Sequence, residues 1–504
     1  MKGLAHKNIL VLGLGSSGLA LARWCSRSGA QVTVADTRAT PPQLQALQTH
    51  VPGAKFVHSE MSASVLAHAP GAPFDWVFKS PGLSPASVAA VVASAQTLGI
   101  ACGNELSLFA QALADLKADH GYAPQVIAIT GTNGKTTVTS LTGQLVQRAG
   151  QSVAIAGNIG PTLLDTLTAK LDATNLGDTL PDVWVLELSS FQLDGIKNFE
   201  PTVATVLNIT QDHLDWHETL AAYGAAKANV YGATATRVLN RDDPLVMAAL
   251  PPVVKGKPPR NFVTFGADSP SRPGDYGIET VNGMAWLVRA LQADETFKRR
   301  KNDDVVLHIQ RLMPLDALRI RGRHNATNAL AALGLAVAAG CGLAAMLHGL
   351  RDYRGEPHRV ASVGVIAEVE YFDDSKGTNV GATVAALAGL GAERKLVLIL
   401  GGEGKGQDFS PLIAPVARHA RAVVLIGRDA PLIRAALQSV SVILLDAASM
   451  PEAVHLAQQQ ASAGDAVLMS PACASFDMFD NYEHRAHVFC EAVRGLADEQ
   501  GLVL

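Results

Sequence analysis

Ile129-Thr130-Gly131-Thr132-Asn133-Gly134-Lys135-Thr136-Thr137 follows the apolar run Val126 to Thr130 and precedes a helical stretch, so it reads as strand, glycine turn and helix start. Glycines let backbone N–H groups turn inward around phosphate oxygens, and the helix start adds partial positive charge. Lys135 can pair with phosphate, and the Thr136 hydroxyl can ligate Mg²⁺. Ile129 stands where the usual GxxxxGK[ST] pattern begins with Gly. Nucleotide phosphate is therefore expected at Gly131, Thr132, Asn133, Gly134, Lys135, Thr136 and Thr137, against the plainer alternative of a Gly-rich structural turn.

Working outward, short β-branched runs alternate with Ala- and Leu-rich helical stretches along the whole chain, the pattern of βαβ units around parallel sheets. The expected class is α/β. Its 504 residues suit two to four domains at roughly 100 to 200 residues each, and three are expected. The first, residues 1–103, is Rossmann-like, with strands Asn8 to Leu12 and Gln31 to Asp36. The second, 104–355, is a P-loop ATPase with a mostly parallel sheet, including strands Val183 to Leu188 and Val203 to Ile209. The third, 356–504, is Rossmann-like again, with strands Lys395 to Leu400, Ala422 to Ile426 and Ala466 to Met469. Tyr353 to His358 reads as the linker, and 251–312 as loops and irregular strands.

Composition narrows the function classes. Hydrophobic residues are 48% and charged residues 17% of the chain, which favours a folded protein over a disordered one. A formal charge of -4 gives no general attraction to nucleic acid or anionic membrane. The basic run Lys298-Arg299-Arg300-Lys301 is offset by Asp303-Asp304 and reads as a solvated loop. The five cysteines show no CxxC spacing, so neither a disulfide framework nor a zinc site is indicated. Two lysines precede an apolar stretch at the amino end, but Gly13, Gly15 and Gly18 interrupt it, and no apolar run reaches the roughly 18 residues of a membrane span. A cytoplasmic location is expected.

Other candidate residues sit at strand ends, where parallel sheets bind ligands. Glu187-Leu188-Ser189-Ser190 puts a carboxylate where it could hold Mg²⁺ beside a nucleotide, or merely pair with Lys135. Asp212-His213-Leu214-Asp215-Trp216-His217 could ligate metal, His213 and His217 sharing a face if helical; alternatively Asp212 or Asp215 caps a helix. Gly13-Leu14-Gly15-Ser16-Ser17-Gly18, with Asp36 ending the next strand, suits a dinucleotide fold, yet Asp36-Thr37-Arg38 could equally hold a nucleoside diphosphate. Lys376 in Asp373 to Asn379 and Lys405 in Gly401 to Lys405 could bind carboxylate or phosphate, or be solvated. Cys473, within Ser470 to Asp477, has no local base and reads as a buried thiol.

Taken in order, these segments resemble the Mur ligase family, over nearly the whole chain except about 165–182 and 251–312. Glu187 to Leu193 and Ser470 to Ser475 resemble its D-glutamate-adding branch in particular, and no Asp-Asn-Pro sequence of the diaminopimelate- or lysine-adding branch occurs. Tyr482 stands where Phe is expected, Ala486 where Gly is expected, and Gly103-Asn104-Glu105 matches poorly.

The resemblance implies ATP-dependent coupling of D-glutamate to UDP-N-acetylmuramoyl-L-alanine through an acyl phosphate, in peptidoglycan precursor synthesis. It implies that Leu14, Ser17, Asp36, Thr37, Arg38, Ser80, Gly82, Asn158 and Ser189 contact the UDP substrate. Asn325, Asn328, His358, Arg359 and Asp374 would join the P-loop around ATP. Lys376, Thr378, Lys405, Ser475 and Tyr482 would hold D-glutamate. Lys135, Glu187, His213 and Lys227 would be catalytic; two Mg²⁺ ions would be held by Thr136, Glu187, His213 and Lys227, the last as a carbamate made with CO₂. A monomer is expected, with no nucleic acid or membrane partner. The rival readings are an NAD-dependent oxidoreductase, a nucleotide-gated regulator that hydrolyses ATP slowly, and a sister ligase adding another amino acid, such as a folylpolyglutamate-type enzyme.

Overall fold

Five short strands open the chain: Asn8–Leu12 (β1), Gln31–Asp36 (β2), Lys55–His58 (β3), Trp76–Lys79 (β4) and Ala101–Asn104 (β5). They form a parallel sheet in the order β3-β2-β1-β4-β5. The structure is a computed structural model that describes residues 2–502 apart from 70, 251–260, 294–305 and 393. β5 runs to Asn104, one residue past the division expected from the sequence. Leu12 pairs with both Ala35 and Lys79, so the carboxyl ends of β1, β2 and β4 meet at one edge.

The turn at that edge depends on two glycines. Gly13 has φ +86, in the left-handed region that favours glycine, and a Cβ on Gly18 would lie 2.0 Å from the Gly13 carbonyl oxygen. Gly18→Ala is expected to destabilise the first domain by ~1–3 kcal/mol through forced separation of helix and strand. A lower midpoint for the first thermal transition checks this; an unchanged midpoint contradicts the packing argument.

The central sheet holds nine strands: Gln125–Thr130 (β6), Val153–Gly157 (β7), Val183–Glu187 (β8), Val203–Val206 (β9), Thr236–Asn240 (β10), Phe262–Phe265 (β11), Tyr276–Val281 (β12), Met284–Gln292 (β13) and Leu307–Pro314 (β14). Their order is β14-β13-β12-β11-β10-β9-β6-β8-β7, parallel except where β13 meets β12 and β14. Within 251–312, expected as loops and irregular strands, the described residues hold β11 to β13 and the start of β14; β11 pairs parallel with β10 and β12, and β12, β13 and β14 pair antiparallel with a bulge at Leu287/Val288. The β12–β13 hairpin turns on Asn282 and Gly283, both with positive φ (51 and 79), the geometry of a two-residue turn that Asn-Gly favours. β9 stops at Val206 rather than Ile209, because Leu207 and Asn208 leave the sheet to bond Thr130 and Thr132. The basic run at 298–301 lies outside the described residues.

The third sheet comprises Ala361–Ile366 (β15), Val369–Asp373 (β16), Leu396–Gly401 (β17), Ala420–Ile426 (β18), Ile443–Asp446 (β19) and Ala466–Met469 (β20), ordered β15-β16-β20-β17-β18-β19. Only β15 pairs antiparallel. β17 and β18 begin and end within two residues of expectation.

Burial explains the layering. The β6 and β8 strands are buried at nearly every position, as strands covered by helices on both faces must be. One core joins the first sheet to the central domain through Leu106, Phe109 and Trp184, with the last two rings edge to face at 5.1 Å. Helices Lys135–Arg148, Arg323–Ala338 and Leu343–Asp352 cover the other face of the central sheet.

Candidate active site

β6 lies between β8 and β9, and Ile129 stands opposite both Glu187 and Thr205. The phosphate loop and the Glu187 carboxylate therefore leave adjacent strands at the same edge. Gly131 (φ +156) and Gly134 (φ +83) occupy conformations that L side chains rarely adopt, and a Cβ on Gly134 would sit 2.8 Å from Asn328 Oδ1. Lys135 Nζ donates to the carbonyls of Gly131 and Thr132, each at 2.8 Å. Burial, with Arg359 nearby, lowers its pKa, while Glu187 and Asp212 oppose that shift.

Glu187 is 1% exposed. Asn158 Nδ2 donates to its Oε1 at 2.9 Å, whereas its Oε2 is buried with no hydrogen-bond partner. A buried carboxylate oxygen without a partner carries an unmet desolvation cost, which a bound cation or water would offset. Behind it, Lys227 is also 1% exposed, its Nζ 2.8 Å from Gly131 O, 3.4 Å from Thr130 Oγ1 and 4.5 Å from the centroid of the Tyr223 ring. Burial, and then the charge of Lys135, holds this amine well below its ordinary pKa, against the opposing charges of Asp212 and Glu187.

His213 and His217 lie one turn apart, His217 N donating to His213 O at 3.0 Å, and both rings pack against Phe191 and Tyr223. His213 sits ahead of helix Leu214–His217 with φ 53, and neither Asp212 nor Asp215 supplies a side-chain cap. Burial lowers the His213 pKa, Asp212 opposes the shift, and Lys135, Lys405 and Lys227 add to it. His217 turns instead to Ser190 Oγ at 2.9 Å and packs against Phe191 and Tyr223, with burial bringing its pKa to about 4. It supports the segment. Among the described residues, no three His, Cys, Asp or Glu side chains form a metal cluster. The donors at this edge are of mixed kinds, and Lys227 could join them only as a carbamate.

Asn133, Gly134, Thr137, Asn325, Asn328, Arg359, Asp374 and Lys376 line one cleft between the phosphate loop and the third domain. Arg359 Nη2 donates to Thr136 Oγ1 at 2.5 Å, tying that domain to the loop. His358 Nδ1 lies 2.6 Å from Asp373 Oδ2. Burial raises the Asp374 carboxyl to about 7 despite the 2.6 Å bond from Ser470. The expected linker is fastened at its start: Tyr353 is buried, and its hydroxyl donates to Glu356 Oε1 at 2.8 Å. His324, Val360 and Ala386 also line the cleft. Sequence reading passed over them because apolar and lone imidazole side chains carry no motif; the place of His324 beside Asn325 was the available signal.

In the third domain, Lys376 Nζ lies 3.7 Å from the centroid of the Tyr482 ring, a cation–π contact. Arg485, fully buried, donates to the carbonyls of Ser375, Cys473 and Ala474, so it joins the loops bearing Lys376 and Ser475. Glu403 and Ala474 exchange backbone bonds at 2.9 Å, which brings in the loop of Lys405. Lys405 is exposed, with φ 53, and Thr378 lies on the same loop as Lys376. Burial drives the Cys473 thiol up to about 12, so it is no nucleophile at neutral pH.

At the first sheet's edge, the Asp36 carboxylate is already engaged. It accepts from Leu14 N at 2.7 Å and from Arg38 Nε and Nη2 at 2.8 Å. Burial alone would raise this carboxyl, but the Arg38 and backbone bonds outweigh it and bring it to about 2. Asp36 thus braces the Leu14 and Arg38 segments at this edge, and the Leu14 side chain lies in the core. Ser17, Thr37, Arg38, Ser80 and Gly82 remain at the same edge. Asn104 Nδ2 donates to Gln192 O at 2.9 Å, which sets that edge against the segment of Glu187 and Ser189. A second hollow, near Arg27, Asp115 and His120, brings none of the expected residues together.

Residues 7–102 match the Mur ligase MurD-like N-terminal domain, 129–336 the Mur ligase middle domain, and 358–473 the Mur ligase, glutamate ligase domain. The chain belongs to the Mur ligase family. Its relatives include the UDP-N-acetylmuramoylalanine--D-glutamate ligase of Albidiferax ferrireducens, 66% identical over 99% of this chain and 98% of that one. The ligase of the same name from a Polaromonas species is 59% identical over 100% of each chain. That of Ralstonia nicotianae is 56% identical over 99% of each. The fold is shared with the MurF ligase of Thermotoga maritima in complex with ADP (TM-score 0.56, 16% identity, 99% of this chain and 97% of that). It is also shared with UDP-N-acetylmuramate-alanine ligase MurC of the same organism (TM-score 0.53, 19% identity, 97% and 100%). These relatives leave the oxidoreductase reading without support.

Proposed function

We propose that the chain is an ATP-dependent ligase that joins D-glutamate to UDP-N-acetylmuramoyl-L-alanine through an acyl phosphate, a step of peptidoglycan precursor synthesis on which cell-wall growth, shape and division depend. The curated relatives carry that name over nearly their whole length. The observation that carries the chemistry is the unpartnered Glu187 oxygen beside the phosphate loop, with the buried Lys227 amine 2.8 Å from Gly131 O.

Each group then has a task. The loop N–H groups and Lys135 bind the ATP phosphates, and Arg359 and Lys376 add positive charge from the third domain. Thr136 and Glu187 would hold one Mg²⁺, and His213 with carbamylated Lys227 a second. When bound, Mg²⁺ supplies charge that offsets repulsion between the phosphate and the attacking carboxylate. An oxygen of the alanyl carboxylate bonds the γ-phosphorus, the bond from that phosphorus to the bridging oxygen breaks, and ADP leaves with its electron pair. The neutral amine of D-glutamate attacks the acyl carbon, the nitrogen sheds a proton, and phosphate leaves with the C–O bond. Lys376, Thr378, Lys405, Ser475 and Tyr482 hold the amino acid, and the edge around Ser17, Arg38, Ser80 and Asn158 holds the uridine-linked partner.

Among the described residues no helix is long and apolar enough to cross a membrane. A cytoplasmic monomer is our reading, since one chain supplies every part of the cleft. The test is ADP release with UDP-N-acetylmuramoyl-L-alanine and Mg-ATP, comparing D-glutamate, L-glutamate, meso-diaminopimelate and no amino acid. D-glutamate alone should support amide formation. Amide formation with diaminopimelate instead would favour a sister ligase, and ADP release indifferent to amino acid a slow ATPase.

A further inference from the structure

Asn379 ends the polar loop Asp373 to Asn379 of the third domain. It caps helix Val380–Leu390, its Oδ1 accepting from Ala382 N at 2.9 Å. The same side chain crosses to the central domain. Asn133 Nδ2 donates to Asn379 Oδ1 at 3.2 Å, and Asn379 Nδ2 donates to Asn133 Oδ1 at 3.1 Å and to Asp212 Oδ2 at 3.2 Å. Both acceptor positions and both donor hydrogens of one amide are thus used, and the residue is 4% exposed.

The loop side of this contact is fixed. Asn133 N donates to Asn208 Oδ1 at 2.8 Å, and Asn208 Nδ2 donates to Asn133 O at 3.0 Å. With its backbone clamped, Asn133 presents only its side-chain amide to the third domain. The helix start is pressed close as well: a Cβ on Gly381 would meet Thr210 Oγ1 at 2.6 Å and Asn133 Nδ2 at 3.3 Å. An amide pair of this kind forms only when both surfaces are seated, because either partner alone turns to water at little cost.

We propose that Asn379 is a positioning residue that couples seating of the third domain to the phosphate loop and the Asp212 segment, and so keeps water from the acyl phosphate until the amine arrives. This rests on the ligase reading above. If the seating loosens, water replaces the amine: its oxygen bonds the acyl carbon, the C–O bond to phosphate breaks, and carboxylate, phosphate and a proton result. ATP is then spent without amide.

The full-length protein tests this by ADP released per amide formed, with UDP-N-acetylmuramoyl-L-alanine, D-glutamate and Mg-ATP. Asn379→Ser keeps a competent helix cap but cannot span to Asn133 and Asp212. Asn379→Asp keeps the cap acceptor and sets a second carboxylate against Asp212. Wild type should give about one ADP per amide, the Ser variant about three- to tenfold more, and the Asp variant at least as much as Ser. Ser449→Ala, which removes the cap of distant helix Met450–Gln460, should leave the ratio unchanged. A wild-type ratio in both Asn379 variants overturns the proposal and leaves the ligase reading standing, as does an equal rise in Ser449→Ala, which would make the effect general destabilisation. Failure of the wild type to form amide overturns the ligase reading itself.

Discussion

Replacing Lys135 by alanine is expected to lower ATP turnover by about a thousandfold or more while leaving binding of the uridine-linked substrate nearly unchanged. The ammonium lies within the loop, 2.8 Å from two of its carbonyls, at the start of helix Lys135–Arg148. Arg359 and Lys376 add charge from the third domain, but Lys135 is the cation that the loop itself carries, so its loss should dominate. The edge bearing Arg38 and Ser80 belongs to another sheet, so its binding should survive. Single-turnover ADP formation and calorimetric titration of the UDP substrate would separate the two effects. Near-normal turnover would remove Lys135 from phosphate chemistry, and loss of substrate binding would point to a folding defect.

Lys227→Arg should cost about a hundredfold or more in turnover, even though a long basic side chain is kept. A guanidinium forms no carbamate, so it offers no oxygen to a hard cation. In the native protein, burial holds the amine well below its ordinary value. The sign follows: above the shifted value the amine is neutral and takes up CO₂ with release of a proton, and below it the ammonium form cannot. Activity should thus persist at pH values where an ordinary lysine is protonated, and fall once pH drops below the shifted value. Independently of turnover, ¹³C-labelled bicarbonate should give a carbamate resonance in the wild type that is missing in Lys227→Arg. Equal spectra, or an active Arg variant, would exclude the modification as a functional requirement.

How much of this was legible beforehand depends on whether the signal is local. The phosphate loop was legible because glycine conformation, helix start and lysine are consecutive. The limits of β1, β2 and β20 could be read because their apolar runs end at turn-forming residues. Strands β11 to β14, at one end of the central sheet, were expected only as loops and irregular strands because their partly exposed positions dilute the apolar signal, although Asn282-Gly283 was a usable hairpin cue. Lys227 gave no local sign at all: only resemblance singled it out among helical lysines, and its burial under Tyr223 supplies the physical reason.

The sequence by itself determined the α/β class, the order of its three units and the residue types able to meet phosphate, since these depend on spacing within a dozen residues. The tertiary structure alone decided that Asp36 braces Leu14 and Arg38, that His217 turns to Ser190, and that Asn379 reaches Asn133 across 246 positions of chain. Those outcomes depend on which loops close packing brings together, and hydrogen bonds between distant segments leave no periodic trace in the sequence.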